Sequence, residues 1–186
     1  QRGCNESGYE YGLMRGHPAY PLPAAVAYAT AAYLLDDTQS LGLKQVGADL
    51  WSAVFTCKSR DELVTVLWSD GDEDLVRPST TLPRGRWTSS LQEQLTPGTQ
   101  GLKVGRMPVY WILPLSAVAD PAEVVNQLGV APVAPVTVEN AFLAAPSRIG
   151  TLLRNRSDRS QRTTLSAGGA SRTVVVAPGT QPVRVD

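Results

Sequence analysis

The chain has 186 residues, of which 42% are hydrophobic and 18% charged, and its formal net charge is zero. This length suffices for one sizeable domain or two small ones. Nucleic acid is not expected as the main partner, because binding it usually needs a basic surface. Fourteen prolines and sixteen glycines favour a protein of strands and turns over a helical bundle.

The start of the chain, its cysteines and its sequons give information about the cellular compartment of the protein. The sequence begins at Gln1 without an initiator methionine or a signal peptide, so we expect a preceding segment to be missing. Cys4 and Cys57 are able to form one disulfide, although two free buried thiols fit the sequence equally well. Asn5 and Asn155 each begin an Asn-X-Ser sequon for N-glycosylation. These features favour an extracellular or cell-surface protein.

An irregular arm and a helix come first in the chain. Residues 1–21 are rich in Gly, Tyr and Pro, and the run LPAAVAYATAAYLLDD at 22–37 predicts a helix with Pro23 in its first turn. Its apolar part is too short to span a bilayer. Nearly every side of this helix is apolar, yet no second long helix follows it. We therefore expect something outside residues 37–113 to cover at least one of its sides.

Strands dominate from residue 38 onwards, because apolar and polar residues then alternate. The strongest predicted strands are 49–56, 62–68 and 107–113, and a polar turn at 58–61 joins the first two. Shorter strands are expected near 75–77, 88–91 and 101–104. Together these segments predict an antiparallel β-sandwich over residues 38–114.

A linker and a second module are expected after the sandwich. Residues 115–137 are interpreted as a Pro-rich linker, with a short helix that Asp120 caps and Pro121 begins. Residues 138–186 predict strands at 149–154, 162–165, 171–176 and 182–185. Four strands are part of a usual immunoglobulin-like sandwich of seven to nine. The predicted fold class is therefore mainly β: the arm and helix (1–37) on an antiparallel β-sandwich, then a partial second immunoglobulin-like β-sandwich.

Three sequence segments, taken in order, resemble segments of a known class of enzyme. They are YGLMRGHPAYPLPAAVAYATAAYLLDD, LWSAVFTC with ELVTVLWSDGDED, and GLKVGRMPVYWILP. Over residues 11–113 they resemble the end of secreted clan-A (β/α)8-barrel glycoside hydrolases. In those enzymes a Gly-Leu pair follows the last barrel strand, the final barrel helix comes next, and later strands form a β-sandwich. The resemblance implies that the apolar helix is a last barrel helix and that residues 138–186 begin an appended module.

The resemblance also implies what this chain lacks. A complete barrel takes roughly 250 residues, and a retaining mechanism uses two carboxylates about 5 Å apart on separate barrel strands. No catalytic residue is therefore carried over to this chain, and no cofactor is expected. The favoured function is a non-catalytic accessory region whose partner is the missing catalytic barrel.

The main alternative belongs to another class of protein. An extracellular structural subunit would assemble with copies of itself, as a filament or surface layer, through the apolar helix and open strand edges. A glycan-binding module is a third alternative. It depends on Trp87, which lies in a turn-rich stretch and is the best candidate for an exposed aromatic platform.

Other residues have simpler interpretations. Asp70, Asp72 and Asp74 have the alternating spacing of calcium ligands, but a solvated hairpin tip explains them more simply. His17 is the only histidine, which excludes a His-based triad or a multi-His zinc site within the chain. Six arginines and a single acid stand between residues 148 and 172, and a solvated strand face is their default interpretation. Core packing is expected for the remaining tryptophans, Trp51, Trp68 and Trp111.

Overall fold

The computed structural model describes residues 14–15, 20–145, 148–167 and 169–185. Cys4, Asn5 and His17 lie outside these residues, so the roles predicted for them stay predictions. Within the described residues the chain is mainly β, with antiparallel sheets and one α-helix near the amino end. The predicted fold class is thereby confirmed at the level of a mainly β, sandwich-like protein.

The helix and strands follow one another with short connections. The first are β1 (Met14–Arg15), β2 (Tyr20–Pro21), α1 (Pro23–Leu35), β3 (Gln39–Gln45), β4 (Leu50–Cys57), β5 (Glu62–Ser69), β6 (Asp74–Pro78), β7 (Arg86–Ser89), β8 (Gln94–Leu95), β9 (Leu102–Val104) and β10 (Val109–Pro114). Two 3-10 helices, Leu115–Ala117 and Pro121–Gln127, lead to β11 (Leu128–Pro132). The last strands are β12 (Val136–Ala145), β13 (Arg148–Asn155), β14 (Gln161–Ala167), β15 (Ala170–Val176) and β16 (Gly179–Val185).

The central sheet has six strands in the order β3-β4-β5-β10-β7-β8. Side chains of β5 alternate between two separate cores: Leu63 and Leu67 belong to one, Val64 and Val66 to the other. Strand β10 alternates in the same way. Because both sides of these strands are buried, β5 is a nearly continuous apolar run and lacks the usual polar alternation.

Two different layers cover the central sheet. The three-stranded sheet β11-β6-β9 covers one side, and its Val76 and Val104 are fully buried in the larger core. Helix α1 lies on the other side, where Leu34 joins the smaller core and is 3% exposed. The first unit of the chain is therefore a three-layered structure of helix, six-stranded sheet and three-stranded sheet.

Most of the segment interpreted as a linker belongs to this first unit. As expected, Asp120 caps a short helix, because its carboxylate accepts a hydrogen bond from the backbone N–H of Ala122 at 3.1 Å. That helix buries Val124 and Val125 in the larger core, and β11 then pairs with β6 along its whole length. The linker interpretation of 115–137 is thus corrected to a connector at 133–135. The prolines of this segment suggested a linker. They are nevertheless compatible with β11, because an edge strand tolerates a residue that has no backbone N–H.

The second module consists of the sheet β12-β13-β16 and the hairpin β14-β15. All four strands predicted for it are present, and β12 is an additional one. Among its described side chains, Leu153 and Val176 are fully buried, whereas Val138 and Val175 are more than half exposed. The described part of its apolar core is therefore smaller than the two cores of the first unit.

Candidate functional site

The candidate site begins with the outward side of α1. Thr30 and Leu34 are the buried residues of this helix, whereas Tyr28 and Tyr33 are 69% and 70% exposed. No charged side chain stands anywhere in α1. A helix that is apolar on every side is normally buried on every side. This helix instead presents aromatic and alanine side chains to the outside.

Arg60, in the turn between β4 and β5, fixes the carboxyl end of α1. Its guanidinium donates hydrogen bonds to the carbonyl oxygens of Leu34 and Asp36, both at 2.9 Å, and to Glu62 at 2.9 Å. The hydrogen bond to Glu62 raises the pKa of Arg60. Since the last carbonyls of a helix carry partial negative charge, this arginine supplies the positive charge that the helix itself lacks.

An apolar strip lies beside the helix, on β3, β4 and β5. Leu43 is 61% exposed and pairs across the sheet with Ala53, which packs on the helix-side core. Trp51 and Trp68 are cross-strand partners and are both half-buried. The indole N–H of Trp51 donates to Asp70 Oδ2 at 3.1 Å. Core packing was expected for these two tryptophans, and both are only partly covered.

A cavity of about 370 Å³ lies on the opposite side of the helix. Thr30 and Tyr33 line it from α1, and Arg86 and Thr88 line it from β7. Arg86 is also paired with Glu62 at 3.2 Å. We use the name helix-side surface for the outward side of α1 and the two strips beside it, defined by Tyr28, Tyr33, Leu43, Trp51, Trp68, Arg86 and Thr88.

Trp87 lies in the core, and the prediction that it forms an exposed platform is wrong. The side chain is 4% exposed and stacks on Trp111, with ring centroids 5.2 Å apart. The turn-rich segment ends in β7, and alternation along that strand turns Trp87 into the larger core. Glycan binding through Trp87 thereby loses its physical basis. Trp111 is a core residue as expected, since it is 1% exposed.

The three aspartates with the spacing of calcium ligands have different surroundings. Asp74 begins β6, is 2% exposed, and its carboxylate lies 3.0 Å from Arg156. Asp70 instead accepts the hydrogen bond from Trp51, and the Asp72 side chain is exposed. Across the part of the chain that is described, no group of three His, Cys, Asp or Glu side chains could hold a metal ion. The solvated hairpin tip that was expected fits Asp72, whereas Asp74 is buried in an ion pair with Arg156.

The predicted modification of Asn155 is incompatible with the folded module. Asn155 is 3% exposed, and its Nδ2 donates hydrogen bonds to the carbonyl oxygens of Arg159 and Val176, both at 2.8 Å. Its Oδ1 accepts from the backbone and side chain of Ser157. Nδ2 is the atom to which an N-linked glycan attaches, so the fold occupies and buries the acceptor.

Cys57 is completely buried at the end of β4. Its Sγ lies 3.2 Å from the hydroxyl of Ser59, which donates to Asp37 Oδ2 at 2.6 Å. The thiol therefore stands beside the turn that follows α1. A bridge to Cys4 stays a prediction.

A buried ionic cluster between the two modules was missed in the sequence. The Arg156 side chain has no exposed surface and lies 3.0 Å from the carboxylates of Asp49 and Asp74. Arg154 pairs with Asp49 at 2.8 Å. Burial raises the pKa of Asp74, while the charge of Arg156 acts in the opposite direction. The arginine-rich stretch at 148–172 was the available signal, but a solvated face explained it equally well.

Fold and site together define a class: within the described residues, a mainly β protein of antiparallel sheets with one α-helix whose outward side is exposed. Comparison of the chain with protein-family models, with curated proteins and with solved structures found no match. None of the helices in the described residues is long and apolar enough to cross a membrane.

Proposed function

We propose that the chain is a non-catalytic accessory β-sandwich region of an extracellular, glycoside hydrolase-like protein. Its helix-side surface packs against the catalytic barrel of that protein. The observation that carries the proposal is the uncharged helix α1, which seals the sheet with Leu34 while leaving Tyr28 and Tyr33 exposed. The resemblance over residues 11–113 supports a barrel as the partner, because a last barrel helix is shared between barrel and sandwich.

The chemistry of the surface supports a lasting contact. Tyrosine and tryptophan are enriched in the buried centres of protein interfaces, whereas charged residues are depleted there. Tyr28 and Tyr33 supply large aromatic areas, each with a hydroxyl able to find a partner. Trp51 and Trp68 extend the aromatic area onto the neighbouring strands. Carbohydrate recognition is not needed to explain any of these side chains.

The first test concerns the natural protein. Mass spectrometry and sequencing of the protein from its source should find a barrel-sized segment upstream of Gln1 that carries paired carboxylates. A natural protein that begins at Gln1 would contradict the proposal.

The second test locates the contact. A photo-crosslinking amino acid at position 28 of the full-length protein should crosslink to the barrel segment. The control is position 103 on β9, where Lys103 is exposed on the sheet furthest from α1. Crosslinks from position 103 and none from position 28 would place the contact elsewhere and overturn the proposal.

A second candidate function is a structural subunit that assembles with copies of itself. The observation that favours it is the edge strand β12, on which Val138 and Phe142 are 55% and 50% exposed. Apolar side chains on an open edge promote strand pairing between chains. Sedimentation at increasing concentration should then reveal oligomers that Phe142→Ser weakens. A monomer at all concentrations would exclude this candidate.

A further inference from the structure

Arg156 is a charged side chain buried at the joint between the two modules. It follows β13 and reaches into the turn between β5 and β6. There it donates to Asp74 Oδ2 at 3.0 Å and to the backbone carbonyls of Asp72 and Glu73, both at 3.2 Å. Its Nε lies 3.0 Å from Asp49 Oδ2, although the N–H is not aligned for a hydrogen bond. A buried guanidinium needs this set of partners, because an unpaired charge inside a protein is costly.

The groups that contact the Arg156 guanidinium all belong to the first unit, where they form a socket. Asp49 precedes β4, and its backbone carbonyl accepts a hydrogen bond from the N–H of Asp70 at 3.1 Å. Gly71 lies so close to the Asp49 carboxylate that an added Cβ would approach Oδ2 to 2.6 Å. The turn therefore wraps around this carboxylate. We call Asp49, Asp74 and the carbonyls of Asp72 and Glu73 the Arg156 socket.

Buried side chains of the second module lie close to the joint in the chain. Its fully buried apolar side chains, among those described, are Leu153 and Val176. Leu153 stands on β13 between Leu152 and Arg154, two residues before the end of that strand and three before Arg156. A module of about fifty residues buries only a modest share of its surface and usually needs a further constraint to stay folded.

The short connector brings the joint together. The backbone N–H of Val133 donates to the carbonyl of Glu73 at 3.1 Å, and that of Arg156 donates to the carbonyl of Pro135 at 2.8 Å. Both ends of the connector are therefore attached beside the socket. The second module has little freedom to swing while these bonds and the Arg156 contacts persist.

We propose that Arg156 is a conformational latch: the second module is ordered through its docking in the Arg156 socket, while the first unit folds independently of it. The first unit has two cores of its own, one on each side of the central sheet. Release of the latch then opens β13 to β16 as one local unit and leaves β4, β5 and β10 intact. Local openings of this kind follow the distribution of buried contacts in a structure.

Hydrogen exchange on the full chain tests the latch. Arg156→Met keeps an unbranched side chain but removes the charge and its hydrogen bonds. We expect exchange in β13 to β16 to become about a hundredfold faster, in keeping with the loss of one partner of a buried ion pair. Exchange in β4, β5 and β10 should stay within about twofold. The matched control is Arg159→Met, because Arg159 is 80% exposed and pairs only at the surface with Asp158.

Two results would overturn the latch. Unchanged exchange in β13 to β16 would show that the module holds itself together without Arg156. Equal acceleration in both modules would show that the joint is part of one cooperative unit. Asp74→Asn gives a second measurement, because it weakens the socket while keeping its shape. It should accelerate exchange in the same strands as Arg156→Met, and acceleration confined to the first unit would contradict the proposal.

Discussion

Trp87 and Trp111 stack across β7 and β10, with ring centroids 5.2 Å apart and ring planes 10° from parallel. Gly85 crosses Trp111 so closely that an added Cβ would lie 2.5 Å from its Nε1. The backbone before β7 is thereby pressed onto the indole pair. This stack lies in the larger core near the turn-rich segment 79–85, which is why Trp87 is only 4% exposed.

Removal of this stack should destabilise the sandwich. Trp87→Ala is expected to lower the free energy of unfolding by about 3–5 kcal/mol, because it deletes a buried aromatic ring and leaves a cavity. Urea denaturation followed by far-ultraviolet circular dichroism measures the change. Tyr28→Ala is the control and should stay within about 0.5 kcal/mol, since this ring is 69% exposed. A stable Trp87→Ala variant would contradict the core position.

The two sides of α1 should respond differently to substitution. Leu34→Ala is expected to cost about 2–5 kcal/mol, because Leu34 is 3% exposed and belongs to the same core as Val64 and Ile112. Tyr33→Ala, one position earlier, should leave the free energy of unfolding of the isolated chain nearly unchanged. Urea denaturation curves of the two variants measure both changes in the free energy of unfolding. Equal losses would mean that Tyr33 is covered within the chain itself.

Arg60 should hold the last turn of α1 in place. Arg60→Met removes two hydrogen bonds to helix carbonyls and the positive charge near them, so we expect a loss of about 1–2 kcal/mol. Hydrogen exchange should accelerate in the last turn of α1 and stay constant in β10. Lys58→Met is the control in the same turn, where the lysine side chain is exposed. An effect of Lys58→Met equal to that of Arg60→Met would indicate general electrostatics and no specific anchoring.

The loss of stability caused by Arg156→Met should depend on pH. Burial raises the pKa of Asp74 in the native chain, and Arg156 opposes that shift, so Arg156→Met should raise it further. An acid whose folded pKa exceeds its unfolded value of about 3.9 binds protons more readily when folded, and stability therefore falls as pH rises. The destabilisation by Arg156→Met should grow between about pH 4 and pH 7, because Asp74 then ionises without its partner.

Urea denaturation across this range measures the pH dependence. The control is Arg156→Met combined with Asp74→Asn, which lacks the titrating carboxyl group. The growth with pH should largely disappear in that double variant. A constant difference between wild type and Arg156→Met at all pH values would contradict the coupling of these two residues.

The amide of Asn155 should be structural. Asn155→Asp removes the donor that satisfies two carbonyl oxygens, so we expect a loss of about 1–3 kcal/mol. Asn140→Asp on the exposed part of β12 is the control and should change little. Mass spectrometry of protein secreted from eukaryotic cells should find no glycan on Asn155. A folded protein fully glycosylated at this position would contradict the hydrogen bonds of its Nδ2.

Local pattern was sufficient for the central parts of the fold. Strands β4, β5 and β10 were predicted within two residues at each end, because apolar side chains there serve cores on both sides of the sheet. Helix α1 was predicted in the same way from its apolar run and from Pro23 in its first turn. For each of these elements, a run of fewer than fifteen residues contains the apolar pattern that predicts it.

The remaining features depend on partners that the local pattern does not reveal. Strand β3 was missed because all its residues are exposed, so Leu41 and Leu43 show no buried alternation. The pair of Arg156 and Asp74 was missed because 82 positions separate its members. Trp87 was misplaced because its neighbours in sequence are turn residues, while the ring on which it stacks belongs to β10. Such features follow from which strands meet, which is a property of the whole sheet.

The width of the central sheet restricts the shape of anything that covers the helix-side surface. Six strands spaced by about 4.8 Å span about 24 Å between the outer strand axes, whereas a helix with its side chains is about 10 Å across. Helix α1, which packs on β5 and β10 through Leu34, therefore stands above the sheet as a ridge narrower than the sheet, with Leu43 on β3 to one side and Arg86 on β7 to the other. A flat surface would touch the ridge alone. A surface that seals the entire side must be grooved, or must bring two ridges that flank α1, as neighbouring helices on the outside of a barrel do.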